Sequence, residues 1–289
     1  MYKFKSKTLI AMAAAIVFSS CTSASNQKSS AQVASSITQV RNATLVINYA
    51  GKKILVDPML AKKGAYPGFP GSFNSHLRNP LVDLPIELNK LVDADAVLVT
   101  HLHLDHWDDE AQKVIQKNKK IFVQNAEDEK ILKDQGFENV TALSDKIVWE
   151  GITLTRTEGV HGTEETVKKV PILGKVSGFV FSHPNEKSIY LAGDTVWNKD
   201  VKNALDQFKP EIIILNSGAA TITGLPPIIM DEKDVLAVIR YAPKAKIVAT
   251  HMEAVNHCVL TRQKLKEVLE VEKLSSHVEI PKDGETINL

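Results

Sequence analysis

Apolar and polar positions along this chain fall into two kinds of run. Stretches of about four to eight β-branched and aromatic residues, bounded by Gly, Pro, Asn or Asp, read as strands. Longer stretches with apolar residues three and four apart read as helices. On that basis residues 43–58 ("ATLVINYAGKKILVDP") form a hairpin turning at Ala50-Gly51-Lys52. Residues 61–85, rich in Gly, Pro and aromatics, form a long ordered loop. A strand over 95–100 ("DAVLVT"), a helix over 108–118, a strand over 120–124 and a short helix over 126–136, stopped by Gly136, follow. Residues 146–158 pair as two strands turning at Glu150-Gly151, and "SGFVFSH" pairs with "KSIYLAGD" around Pro184-Asn185-Glu186. The second half then alternates: helix 197–207, strand 211–215, helix 231–241, strand 246–250, helix 261–273 and a short terminal strand. Hairpins and strand–helix units recur in each half. This predicts an α/β fold of two mixed sheets covered by helices, a four-layer αββα sandwich. There is no fixed-period repeat of the solenoid kind.

The first forty residues carry a different pattern. Lys3, Lys5 and Lys7 precede an apolar run, Thr8–Phe18, that is too short to span a bilayer and reads as a secretory signal. "FSSC" (Phe18–Cys21) resembles the lipobox of bacterial lipoproteins, which implies cleavage before Cys21 and its lipidation. Residues 22–40, rich in Ser, Ala and Gln, read as a flexible tether. The expected organisation is therefore a leader over 1–21, a tether over 22–40 and a single domain over 41–289. The expected location is the bacterial cell envelope, with a lipid anchor on Cys21.

Charge and cysteine content narrow the function. Without the three leader lysines the formal +1 charge becomes slightly negative, which gives no support for nucleic-acid binding. With Cys21 lipidated, Cys258 is the other of the two cysteines, so no internal disulfide is available.

The chemistry gathers where strands end. Three of the nine histidines lie in "THLHLDHWDD", residues 100–109. A polar surface turn would account for that segment alone. However, the strand before Glu158 leads to His161, the strand over 188–192 leads to Asp194, and the strand over 246–250 leads to His251. Ligands commonly gather in loops beyond the carboxyl ends of strands. His101 and His103, two apart in an extended stretch, face the same side and with His161 offer three nitrogens to one ion. Asp105, His106 and His251 form a second set, and Asp194 is a carboxylate able to bridge two cations. Mixed His/Asp ligation suits two divalent ions, zinc first, with manganese or iron as alternatives. Two such ions can hold a hydroxide between them as nucleophile.

At these residues the chain resembles the metallo-β-lactamase superfamily. His101-x-His103-x-Asp105-His106, His161, Asp194 and His251 match its ligand motifs in order, and Asp57 in "LVDP" matches its early aspartate. The resemblance covers about residues 43–289 and implies the αββα sandwich with two metals at one edge. The tail "HMEAVNHCVLTR" and the absence of an inserted domain look most like the branch of L-ascorbate-6-phosphate lactonase and related metal-dependent hydrolases.

Other residues invite roles of their own. His257 is a candidate for supporting the site or contacting substrate, Cys258 reads as a small buried hydrophobe, and His76 sits where the long loop overhangs a cleft. His183 and His277 read as solvated. Asp108 and Asp109 read as helix N-terminal residues. Asp57 is expected to order the metal loop, and residues 216–230 either line a pocket or pack.

The leading expectation is a dinuclear hydrolase acting on a small-molecule lactone, ester or phosphodiester, with Asp105 orienting the nucleophile or taking its proton. A non-catalytic metal-binding lipoprotein and a true β-lactamase are the alternatives. Asp194 weighs against the β-lactamase, because the resemblance implies that antibiotic-hydrolysing members lack that carboxylate. A diiron oxygen reductase is disfavoured by His103, which stands where those proteins carry a glutamate, and by the lack of a flavin domain.

Overall fold

In the computed structural model, residues 1–5 and 34–289 are described. Cys21, the leader cleavage site and most of the tether lie outside the described residues. Contacts group the chain into Met1–Gln32 and Val33–Leu289.

Seven strands form one sheet: β1 (Ser36–Arg41), β2 (Thr44–Tyr49), β3 (Lys52–Val56), β4 (Ala96–Val99), β5 (Lys120–Val123), β6 (Val140–Ala142) and β14 (Thr286–Asn288). The other sheet has β7 (Lys146–Trp149), β8 (Ile152–Gly159), β9 (Val176–His183), β10 (Glu186–Leu191), β11 (Ile212–Asn216), β12 (Lys246–Thr250) and β13 (Val278–Glu279). Their orders are β14-β1-β2-β3-β4-β5-β6 and β13-β12-β11-β10-β9-β8-β7. Each sheet starts as an antiparallel meander and continues as a parallel run, the change falling at β3 and at β10. Parallel neighbours need crossovers, and helices supply them. These are α1 (Leu88–Val92), α2 (Asp109–Val114) and α3 (Ala126–Asp134) on the first sheet, and α5 (Lys199–Phe208), α6 (Glu232–Tyr241) and α7 (Arg262–Val271) on the second. A short α4 (Glu164–Lys169) lies between β8 and β9.

Three apolar layers hold this stack together. Between the sheets, Ile37, Leu45, Ile47 and Ile54 meet Leu154, Phe179, Phe181 and Ile189. Outside the first sheet, Val97, Val99 and Ile121 pack with Ala111 and Leu132 of α2 and α3. Outside the second, Ile213, Leu215 and Ile247 pack with Val201, Val235 and Leu265 of α5, α6 and α7. The alternation of inward and outward residues along β4 serves both layers, with Ala96 and Leu98 facing one and Val97 and Val99 the other. The architecture is the expected four-layer αββα sandwich.

The boundaries correct the sequence reading in several places. The stretch expected to be tether up to residue 40 already contains β1, whose six residues are all buried. Its "SITQVR" carries β-branched Ile37, Thr38 and Val40, a signal masked by the Ser/Ala-rich composition just before it. The helix expected over 108–118 ends at Val114, because buried Ile115 turns extended into the core under the first sheet. The elements α1, β6 and α4 are absent from the sequence reading. They are three to six residues long. Moreover, "EETVKK" of α4 has no apolar stripe; it is held by its Thr163 cap, with acidic residues first and lysines last.

Candidate metal centre

Strands of both sheets deliver their loops to one edge of the sandwich. There β4 leads to His101, β8 to His161, β10 to Asp194 and β12 to His251. Two loops, after β10 and after β11, require backbone that ordinary side chains resist. Gly193 has φ +70, and a Cβ there would lie 2.5 Å from the Ser177 carbonyl. At Gly218 a Cβ would lie 2.1 Å from the His251 carbonyl, so the loop after β11 can approach the metal loop only as glycine. His251 itself is held at φ 60 and Asp57 at φ 44, left-handed conformations that non-glycine residues tolerate only where their surroundings fix them.

Seven donor side chains converge. Ligand atoms of His101, His103 and His161 lie within 4.8 Å of one another, and so do those of Asp105, His106 and His251. Asp194 stands between the groups. Its Oδ2 lies 3.5 Å from His161 Nε2 and 3.1 Å from His106 Nε2, while its Oδ1 lies 3.6 Å from His251 Nε2. All but the half-buried His103 are buried. Thus the structure brings together every residue that the sequence offered as a ligand.

Each histidine is oriented through its second nitrogen. His161 Nδ1–H donates to the Ile228 carbonyl and His103 Nε2–H to the Ile172 carbonyl, both at 2.9 Å. A carbonyl can only accept, so the inward nitrogen of each ring carries the lone pair a cation needs. His101 Nδ1 meets Thr100 Oγ1 at 3.1 Å. His106 Nδ1–H donates to Asp57 Oδ2 at 2.9 Å, and Asp57 also accepts from the Thr100 amide and hydroxyl. Asp57 therefore orders the loop, as expected of it. His251 Nδ1 has the softer partner Cys258 Sγ at 3.3 Å.

Several supports have no motif in the sequence. Asn42, in the turn between β1 and β2, donates through Nδ2 to the Asp105 carbonyl at 2.8 Å. Its own carbonyl accepts the His251 amide at 3.1 Å. One turn therefore ties two loops that are far apart in sequence. Asn216 Nδ2 donates to Asp194 Oδ1 at 2.7 Å, and Thr250 Oγ1 holds Asn216 in turn. Asn256 pins the long 61–85 loop, accepting from the Phe69 amide and Asn79 Nδ2 and donating to Ser72 and Phe73.

The remaining candidates separate cleanly. His76 is exposed on that loop, and His183 and His277 are partly exposed at a hairpin tip and near the end of the chain. Asp108 caps α2, accepting from the Ala111 amide. Residues 216–230 pack, with Ala220, Ile228 and Ile229 against Leu173, and the Ile228 carbonyl orients His161.

The electrostatics show what the donor set lacks. Burial pushes His101 well below the usual imidazole range and His161 down to about 4, so both are neutral. Burial also acts on His106, but Asp194, Asp57 and Asp105 outweigh it and raise that ring to about 10. His251 is likewise raised, against burial, by Asp194 and Cys258. The same contacts, against burial, hold the Asp105 and Asp194 carboxyls well below the ordinary carboxylate range. Inward nitrogens sit only 3.0 Å apart at His101 and His103, and 3.2 Å apart at His106 and His251. Ring nitrogens this close, next to two carboxylates and away from water, fit divalent cations.

The sequence profile of the Beta-lactamase superfamily domain matches residues 52–252. The chain is 48% identical over 251 residues to the UPF0173 protein YddR of Bacillus subtilis, covering 86% of this chain and 98% of that one. A UPF0173 metal-dependent hydrolase of Methanosphaera stadtmanae is 27% identical over 64% of this chain and 72% of its own length. Among solved structures, the isothiocyanate hydrolase from Delia radicum gut bacteria superposes with a TM-score of 0.86 at 46% identity, over 88% of this chain and 99% of that one. A possible metal-dependent hydrolase from Veillonella parvula gives 0.87 at 42% identity, over 89% and 100%.

Proposed function

The chain belongs to the β-lactamase superfamily as a metal-dependent hydrolase, and from that premise we propose a dinuclear enzyme that adds water to a small apolar electrophile, with organic isothiocyanates foremost. The observation that carries the two-ion reading is Asp194, which reaches histidines of both ligand groups through its two oxygens. His101, His103 and His161 would hold one ion and Asp105, His106 and His251 the other. When bound, such ions make water nucleophilic at neutral pH and polarise the atom under attack. Asp105, a carboxylate at the edge of the second group, is placed to take the proton that water loses.

The substrate class rests on the 46% identity to the isothiocyanate hydrolase and on the apolar surroundings of the site. Exposed Ile172 belongs to the segment whose carbonyl orients His103, and exposed Val259 follows Cys258. Exposed Phe73 bonds through its amide to Thr221, in the loop that orients His161. Two segments that hold ligands, and a third bonded to the loop behind His161, therefore also present apolar side chains. The reaction balances without a further reactant. Water adds across the central carbon of R–N=C=S, and the C–N bond then breaks to give R–NH2 and O=C=S.

The test is a turnover screen of zinc-loaded protein. Benzyl isothiocyanate competes against lactones, 4-nitrophenyl acetate, bis(4-nitrophenyl) phosphate and nitrocefin, with elemental analysis alongside. Amine release that chelation abolishes, with close to two ions per chain, is the expected result. Metal content near zero after reconstitution would overturn the site. A faster lactone, ester or phosphodiester would overturn the substrate.

The leader adds a location to this proposal. Export with lipidation at Cys21 would place the domain outside the cytoplasm on a membrane anchor, and among the described residues no helix is long and apolar enough to span a membrane. Cys21→Ala should release the protein from the membrane fraction or block its processing. An unchanged N-terminus and full solubility in both forms would remove the anchor.

A further inference from the structure

Beside the seven donors stands an eighth polar side chain with no task in the fold. His257 is only 8% exposed, and its Nδ1 is buried with no hydrogen-bond partner among the described residues. The five histidines of the centre differ from it, since each has its second nitrogen held by a named partner. Two features fix where the His257 ring stands. It meets the edge of Phe69, with centroids 4.7 Å apart, on the loop that Asn256 pins. The next residue, Cys258, bonds His251 Nδ1, so His257 also adjoins the support of a ligand. Burial pushes its basicity down to about 4 despite the pull of Asp105, so the ring is a neutral imidazole with one N–H and one lone pair.

We propose that His257 is a substrate-contacting residue, whose imidazole N–H, backed by Phe69, hydrogen-bonds the atom that leaves the attacked carbon. This rests on the reading of the protein as a hydrolase of small electrophiles and assigns the one step that reading leaves open. When the C–N bond of the adduct breaks, its electron pair goes to nitrogen, which needs a donor at that moment. Asp105 can pass on the proton it takes from water, but a hydrogen bond that steers this nitrogen into place needs a further donor, and Asp194, held by Asn216, brings none. The five histidines of the centre point one nitrogen at a structural partner and the other into the donor cluster. Of the buried polar side chains around the centre, His257 retains an uncommitted N–H. Its unsatisfied nitrogen in the free protein is the counterpart of that role, because a polar group buried without a partner persists where a ligand completes it. Phe69 supplies an apolar edge next to the donor, which matches a substrate carrying its R group on the departing nitrogen.

The assignment is tested by two measurements on the zinc-loaded protein. In the first, histidine is labelled with 15N and the His257 ring signals are identified by their loss in His257→Asn. Saturating sodium thiocyanate supplies the linear N–C–S unit without an organic group. A shift of a His257 ring nitrogen by several ppm is expected, and an unmoved signal overturns the assignment whatever the enzyme turns over. In the second, wild type, His257→Phe and His257→Asn are compared on aryl isothiocyanates whose amines differ in basicity. His257→Phe should lower kcat on the order of a hundredfold, and most for the most basic leaving amine, while His257→Asn, which keeps an N–H donor, recovers part of the loss. An equal loss across the series, or no recovery by Asn, marks packing alone and overturns the proposal. If wild type hydrolyses no isothiocyanate, the substrate reading fails, and the thiocyanate measurement still decides His257.

Discussion

The first ligand group is three histidines and the second replaces one of them with Asp105, and their supports differ as well. His103 and His161 of the first group donate to backbone carbonyls, and His101 meets a threonine hydroxyl. These partners carry no charge, and burial keeps His101 and His161 neutral. In the second group His106 is backed by the Asp57 carboxylate, and its ring and that of His251 lie among Asp57, Asp105 and Asp194. It is also tied by Asn42, which bonds the backbone of both Asp105 and His251. The first group is thus a set of lone pairs ready for a cation. The second is a clamped, charge-dense cluster that must lose protons to receive one. Opposite requirements for the same metal, a few ångströms apart, should be separable by mutation and by pH.

The largest effect should come from Asp105, the carboxylate proposed to take a proton as well as to hold an ion. Asp105→Asn keeps the shape and removes both the charge and the proton acceptor. It should lower kcat on the order of a hundredfold or more, with the fold kept by circular dichroism. Full turnover in that variant would remove Asp105 from the mechanism and leave the second group a binding element only.

Next in size is the brace. Asn42→Ala deletes the bond to the Asp105 carbonyl and loosens the turn that receives the His251 amide. Loss of an orienting partner typically lowers metal affinity by about 10- to 100-fold. The loss should fall on the second ion and spare the first, read as a fall from two ions toward one in equilibrium dialysis at limiting zinc. An equal loss at both ions would show that the groups are mechanically one.

Asn42 also shows where sequence reading stops. The ligands were legible because His and Asp at strand ends are rare and chemically specific. The sandwich was legible because inward and outward residues alternate along its strands. Asn42 and Asn256 belong to turns where asparagine is commonplace and hold backbone from distant segments, while Asn216 ends β11 and holds the Asp194 carboxylate from the neighbouring strand's loop. The carbonyls of Ile172 and Ile228 are invisible by nature, since any residue there would present one. The five-residue α1 and three-residue β6 are too short to carry a period, so the packing around them settles their form.

The pH dependence should divide the groups more gently. At pH 7 His101 and His161 are already neutral in the metal-free protein, so the first ion displaces little more than water. His106, raised to about 10, and His251, also raised, must each give up a proton to the second ion. Second-ion affinity should therefore fall more steeply as pH drops through neutrality, and calorimetry in buffers of different ionisation enthalpy should count more protons released with that ion. Stability of the metal-free protein follows the same signs. His161, lowered to about 4, contributes above its unfolded value near 6.5 and loses that contribution as pH falls toward 4. His106 contributes below 6.5 and loses its contribution as pH rises toward about 10. Equal proton release for both ions would erase the distinction.

The smallest expected effect concerns the partner that fits the pattern least. Cys258 takes the second nitrogen of His251, where His106 has a carboxylate, and burial raises its thiol above the ordinary range, so it stays protonated near neutrality. A thiol is a weak hydrogen-bonding group, and 3.3 Å to sulfur is an ordinary contact. It can fix the orientation of His251 without adding much to its basicity. Orientation has other guarantors here: the Asn42 carbonyl on the His251 amide and the close passage of Gly218 beneath its carbonyl. Cys258→Ser keeps a small hydrogen-bonding group at that nitrogen. It should change second-ion affinity by no more than a few-fold, against about 10- to 100-fold for Asp57→Asn at the equivalent nitrogen of His106. Cobalt loading makes the pair directly comparable, because the visible spectrum of each ion reports its own ligand geometry. If the serine variant instead matches or exceeds the Asp57→Asn loss, the thiol carries the orientation of His251 and the Asn42 brace is the secondary support.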